Sequence, residues 1–255
     1  MMDYTEYYNH VEVLFELVKQ MHGKETAFLG TEFNVRCIKA HSLAYLKSNM
    51  MSFNFFKRAY NIYISSANYN NLPCFSYNPE VRKQQQSDFN KNAKDFMTGY
   101  DLFIDIDGIP EDHLPAWREA KRIKSVFDRY RIPYSIKFSG KGFHFIVPSL
   151  YFSSLPDFTI RNATFKKFML SMVKILDLRL VDMSIYDVRR VYKAAYSFDI
   201  KTGRIALPLS DEQFEHFTFS MVDPDNVLTT GVRDRGLLVR QGSEDNIKMM
   251  FEDYQ

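Results

Sequence analysis

Leu102-Phe103-Ile104-Asp105-Ile106-Asp107-Gly108 is a short apolar run that takes up two carboxylates just before a turn. In an extended strand successive side chains point to opposite faces, so Asp105 and Asp107 share one face while Ile104 and Ile106 share the other. Two carboxylates aimed together raise each other's proton affinity unless a cation lies between them, and hard oxygen donors in this arrangement suit Mg²⁺ or Mn²⁺. The same pattern is also that of an ordinary polar strand end running into an Asp-Gly turn. Its neighbours in the sequence decide between the two.

Outward from that strand the periodicity alternates. Residues 100–106 read as a strand, 114–130 as a helix, 135–138 and 143–147 as strands, 162–178 as a second long helix and 204–209 as a further strand. Upstream, Val11, Leu14, Phe15, Leu17, Val18 and Met21 predict one amphipathic helix within residues 3–22, and 28–63 mixes strand-like and helix-like stretches. The Asn-, Ser-, Gln- and Pro-rich stretch 65–93 predicts a long loop, and short elements follow 211. There is no internal repeat and no linker-like composition break, so one domain over 1–255 is expected.

Two further clusters flank the strand. In Ser139-Gly140-Lys141-Gly142-Phe143-His144 the glycines allow close backbone approach, the amides can form an anion nest, and Lys141 and His144 add polar groups suited to phosphate. Alone, this is equally a glycine-rich hairpin. The stretch Val181-Asp182-Met183-Ser184-Ile185-Tyr186-Asp187-Val188-Arg189-Arg190-Val191-Tyr192-Lys193 mixes acids and cations and is followed by Ser197 and Lys201-Thr202-Gly203. Alone, it reads as a charged helix and turn.

In order, hhhDhD, SGxGxH and an Asp followed by basic residues and KTG resemble the archaeo-eukaryotic primase superfamily, specifically the small catalytic subunit of replicative primase and its primase-polymerase relatives. Glu32-Phe33 and 63–67 resemble its upstream stretches more weakly. The resemblance implies an α/β (α+β) fold, in which an RRM-like catalytic antiparallel sheet over about 96–255 is flanked by an N-terminal α/β unit over about 1–95. It implies a template-dependent nucleotidyltransferase that makes or extends RNA or DNA primers by two-metal phosphoryl transfer. Asp105, Asp107 and Asp182 would be the catalytic carboxylates and hold Mg²⁺ or Mn²⁺. Ser139, Lys141, Gly142, His144, Arg190, Lys193, Ser197 and Lys201 would handle the incoming nucleotide, with Glu32 and Tyr63 as candidates to meet its sugar. The implied partners are single-stranded DNA template, primer, nucleoside triphosphates and an accessory subunit or a replication or defence partner.

Departures from that pattern carry information too. Asp199 stands where the family commonly has a histidine before KTG, and Ala195 where it has a proline; an acid beside triphosphate repels it unless a cation intervenes. Cys37 and Cys74 stand in no metal-ligand spacing, so neither structural zinc nor a disulfide framework is expected. The net charge of +2 does not mark a nucleic-acid binder, although Arg118, Lys121, Arg122, Lys124, Arg129 and Arg131 offer a possible template-tracking surface. No stretch approaches the ~18 apolar residues of a membrane span, and a cytoplasmic protein is expected. Two other readings compete: a non-catalytic RRM-like nucleic-acid-binding module, which normally reads bases with sheet aromatics, and a replication-initiator nickase, which needs a histidine pair where Phe143-His144-Phe145 offers one.

Overall fold

Two antiparallel sheets meet at Asp101 in the computed structural model, which describes residues 2–73, 75–153, 158–232 and 239–254. The first part of the chain supplies α1 (Tyr4–Tyr7), α2 (Val11–Met21), β1 (Lys24–Leu29), β2 (Asn34–Ile38), α3 (Leu43–Ser52), α4 (Phe55–Arg58), β3 (Asn61–Tyr69), α5 (Pro79–Asn92) and β4 (Met97–Tyr100). The second supplies β5 (Leu102–Ile106), α6 (Leu114–Arg129), β6 (Ser135–Phe138), β7 (Phe143–Val147), α7 (Phe158–Ile175), β8 (Val191–Lys193), β9 (Phe198–Asp199), β10 (Arg204–Ile205), β11 (Pro208–Leu209), α8 (Asp211–Glu215), α9 (Pro224–Thr230) and α10 (Glu244–Asp253). The first sheet runs β2-β1-β3-β4, and β8 returns from the second part to pair with β3. The second runs β11-β6-β7-β5.

Register in the second sheet sorts its two faces. Lys137, His144 and Asp105 lie in one cross-strand row, and Ile136, Phe145 and Ile104 in the next. The apolar rows are covered by α6, which buries Ala116, Ala120, Ile123 and Phe127 and sets the Phe127 ring 5.8 Å from that of Phe145. The polar row therefore faces away from α6.

Several sequence expectations need correction. The helix expected within 3–22 is two helices, broken where His10 leaves helical geometry; the rings of Tyr7 and Tyr8 are fully buried, and those of Tyr4 and Tyr8 pack on Phe55, which docks α1 separately. The loop expected over 65–93 holds the end of β3 and the 14-residue α5. Asn78 caps that helix by accepting from the amides of Glu80 and Val81, and Pro79 pre-sets its first turn. Its polar composition is that of a helix lying on the surface, with only Arg82 and Phe89 buried. The strand expected over 204–209 is split into β10 and β11, which pair with different partners. The basic stretch after Asp182 forms a single 3₁₀ turn and then the strand β8, not a charged helix. Cys37 is a buried free thiol and Cys74 lies outside the described residues. Among the described residues no helix is long and apolar enough to cross a membrane.

Candidate active site

A cleft of about 700 Å³ opens between the two sheets, and Asp105, Asp107, Asp182, Ser139, Lys141, His144, Arg190, Lys193 and Lys201 all line it. The two sequence-adjacent acids come from the end of β5. Asp182, far away in the chain, joins them along the free edge of that strand: its amide donates to the Asp105 carbonyl at 2.9 Å, and the Asp107 amide donates to the Leu180 carbonyl at 2.8 Å. Glu119 on α6 fixes this segment from behind, its buried carboxylate accepting from the amides of Arg179 and Leu180 at 2.8 and 3.0 Å.

Each acid faces a protein cation or imidazole. Asp107 meets Lys141 at 2.6 Å, Asp182 meets Arg190 at 3.2 Å, and Asp105 lies 3.3 Å from His144 Nε2. Among the described residues no three such ligands already converge into a metal cage. The donor chemistry nevertheless fits a hard divalent cation, because all three carboxylates share the cleft and their partners Lys141 and Arg190 are part-exposed side chains able to turn aside. Burial opposes ionisation of Asp105, but His144, Lys141 and Arg190 outweigh it and hold its pKa below the ordinary carboxylate value. Burial also lowers the pKa of His144, against the pull of Asp105.

The glycines of the second cluster are explained by the protein's own packing. A Cβ on Gly142 would strike the Ile106 carbonyl, one on Gly108 the Lys141 carbonyl, and one on Gly140 the Asp199 carboxylate. The loop is thus pressed against the end of β5, which brings Lys141 to Asp107. Ser139 spends its hydroxyl on the turn, accepting from the Gly142 amide at 3.3 Å. Gly142 does not line the cleft, and neither does Ser197, whose fully buried hydroxyl accepts from the Ile62 amide at 2.9 Å and ties β3 to the β8–β9 turn.

Asp199 has a clear structural place. It pairs with Lys193, and its Oδ1 accepts from the amides of Lys201 and Thr202 at 2.9 and 3.0 Å, shaping the KTG turn. Burial opposes its ionisation, but Lys193 and those amides hold its pKa below the ordinary value. The cation that an acid needs at this position is therefore supplied from within the chain.

No protein-family model matches the sequence, and no curated protein matches it. The fold does have counterparts among solved structures. The polymerase domain of Mycobacterium tuberculosis Ligase D, solved in complex with DNA, superposes with a TM-score of 0.58 at 12% identity over 98% of this chain and 93% of that one. The chain shares the fold of that polymerase domain. The AEP domain of the cyanophage S-2L primase-polymerase also matches, with a TM-score of 0.43 at 14% identity over 89% of this chain and 97% of that one.

Within this fold several cleft residues lie outside the motifs. Arg36 on β2 and Arg189 before β8 are both held by Glu25, which is completely buried and bonds each guanidinium at 2.9 Å. In the sequence Glu25 stands between Lys24 and Thr26, so nothing local marks it as a buried acid. Tyr63 lines the cleft, its phenol pushed up to about 12 by burial and by Asp199 and Asp105. Glu32 does not; it is exposed in the β1–β2 turn. The α6 cations are on the covered side of the sheet, outside the cleft. Lys121 pairs with Glu215, Lys124 with Asp128 and Asp211, and Arg122 donates to the carbonyls of Leu176 and Asp177. Arg118, Arg129 and Arg131 are exposed and, like the rest of this set, do not line the cleft.

Proposed function

We propose that the cleft is the active site of a template-dependent nucleotidyltransferase, a primase or primase-polymerase that joins nucleotides on single-stranded DNA. The observation that carries this reading is that Asp105, Asp107 and Asp182 line one cleft along a single strand edge, where Asp187 and Asp199 are outnumbered by the cations Arg36, Lys141, Arg189, Arg190, Lys193 and Lys201. Carboxylates suit divalent metal and the surrounding cations suit a polyphosphate, which is the charge pattern of phosphoryl transfer.

Asp105, Asp107 and Asp182 would hold Mg²⁺ or Mn²⁺. Metal bound there supplies Lewis-acid activation of the attacking hydroxyl and charge neutralisation at the phosphate. Lys141 and Arg190, now paired with two of those acids, would be released to the triphosphate when the acids turn to metal. Lys193, neutralised by Asp199, acts less as a free charge than as a fixed donor at the cleft wall, while Lys201 is held by the Asp199-capped turn. The neutral phenol of Tyr63 beside Lys193 is suited to meet the sugar of the incoming nucleotide. The fold shared with the Mycobacterium tuberculosis polymerase domain, solved with DNA, is consistent with this substrate class.

The test is incorporation of labelled ribo- and deoxynucleotides on single-stranded template, primed and unprimed, in Mg²⁺ and in Mn²⁺. Metal-dependent synthesis is expected from the parent protein, and Asp105→Ala with Asp107→Ala should abolish it while the fold persists, because the pair sits at the part-exposed cleft face and not in the apolar layer. Undiminished synthesis by the folded double variant would sink the mechanism.

A further inference from the structure

Residues 33–79 carry Arg36, Lys39, Lys47, Lys57 and Arg58 and not one Asp or Glu, in a chain whose acids and bases otherwise nearly cancel. Acids resume on either side, at Glu32 and Glu80. This cationic stretch folds around a groove of about 300 Å³ between β2, the α3–α4 turn and the start of α5. Its floor is built rather than incidental. The buried guanidinium of Arg82 donates to the carbonyls of Arg36 and Cys37 and lies 4.9 Å from the centre of the Phe53 ring.

The surrounding surface combines exposed rings with exposed cations. Phe33, 47% exposed, lies in the turn before β2 with the Arg58 guanidinium 4.1 Å over its ring. Tyr77, 49% exposed, stands 5.5 Å from Phe53 across the groove, and Lys83 completes the wall on α5. Half-exposed aromatic rings that can stack with a base, set among cations that accept phosphate, are the two features that hold a single strand without reading its sequence. The groove also adjoins the cleft. Asn34 and Val35 line the groove, and the next residue of β2, Arg36, lines the cleft.

We propose that this groove binds single-stranded nucleic acid and guides the template beyond the cleft. The word template rests on the polymerase reading above; the binding of a single strand does not. An acidic protein surface would also meet the cations, but it would leave the stacking faces of Phe33 and Tyr77 unexplained.

The experiment is fluorescence anisotropy of a labelled oligothymidine over a range of salt, with melting temperature checked for every variant. Two variants are compared with the parent: Arg58→Glu with Lys83→Glu, and Phe33→Ala. The charge reversal should weaken binding by about tenfold or more and flatten the log–log salt slope by about 1.4, from two lost phosphate contacts. Phe33→Ala should weaken it by about fivefold or more, through lost stacking. Parent-like affinity and salt slope in both folded groove variants would overturn the proposal, as would a parent protein that fails to bind the oligonucleotide at low salt. The two readings fail separately: groove-dependent binding without nucleotide addition removes the polymerase, and nucleotide addition with groove-independent binding removes the groove.

Discussion

Lys137 is the residue at which burial and function pull hardest against each other. It is 1% exposed in the row that also holds His144 and Asp105, donates to the Lys193 carbonyl, and lies 4.4 Å from the centre of the Tyr192 ring. Burial, reinforced by Lys193, drives its pKa well below the ordinary lysine value. The folded state therefore binds fewer protons at this site than the unfolded chain, whose lysine titrates near ~10.5. Stability contributed here is fully present above that unfolded pKa and is lost as pH falls toward the folded one, with a slope of at most about 1.4 kcal/mol per pH unit. Lys137→Met removes the linkage while keeping an unbranched apolar side chain. Urea unfolding of both proteins between about pH 7 and pH 9 should show the parent gaining on the variant as pH rises. Parallel pH profiles would mean that Lys137 keeps its proton in the fold.

At the scale of elements, the strand edge that holds Asp182 depends on a helix. Glu119 reaches from α6 to the two amides just before Val181 and Asp182, and it is itself buried. Glu119→Ala leaves those amides without that acceptor, at a cost of about 1–3 kcal/mol for each buried group so stranded, and frees the segment that Asp182 rides on. The expected result is a folded protein with lower Mn²⁺ affinity, read by titration calorimetry without substrate, while Glu119→Gln recovers part of it through its remaining carbonyl. Unchanged Mn²⁺ affinity in Glu119→Ala would show that the Asp105–Asp182 backbone pairing suffices alone. This dependence also marks the limit of legibility. The Asp105–Asp107 pair is readable because strand alternation is local, and β6, β7 and α6 are readable because their apolar periods are strong. Glu119 is not, since a charged residue amid Arg118, Lys121 and Arg122 looks like part of a solvated helix face. Nor is α5, whose polar sequence lacks an apolar stripe and whose folding is set by its cap and by the seating of Arg82 and Phe89. The Glu25–Arg189 pair escapes for a third reason: its proximity depends on β8 crossing back to β3, while the Asp199–Lys193 pair closes over the β8–β9 turn, which the sequence does not mark.

That crossing makes the two sheets mutually dependent, and Asp101 is where the dependence concentrates. It lies between β4 of the first sheet and β5 of the second, and it is 4% exposed. Its carboxylate accepts from Lys24 on β1 at 2.8 Å, from the Tyr192 hydroxyl on β8 at 3.1 Å and from the Ser149 amide beyond β7 at 2.9 Å. Lys24 is itself 10% exposed, so Asp101→Ala leaves a nearly buried ammonium with only the Ser65 carbonyl. Removing one partner of a buried pair costs about 3–5 kcal/mol, and Asp101→Asn should cost less because it keeps an acceptor. Trp117, the single tryptophan, sits on α6 and reports on the second sheet, whereas far-UV circular dichroism reports on the whole chain. We expect the two signals to give one urea midpoint in the parent, and one midpoint, lowered equally in both signals, in Asp101→Ala. Separate midpoints in the parent would mean that the sheets unfold as independent units, and the cleft between them would then be an interface whose geometry varies with their docking.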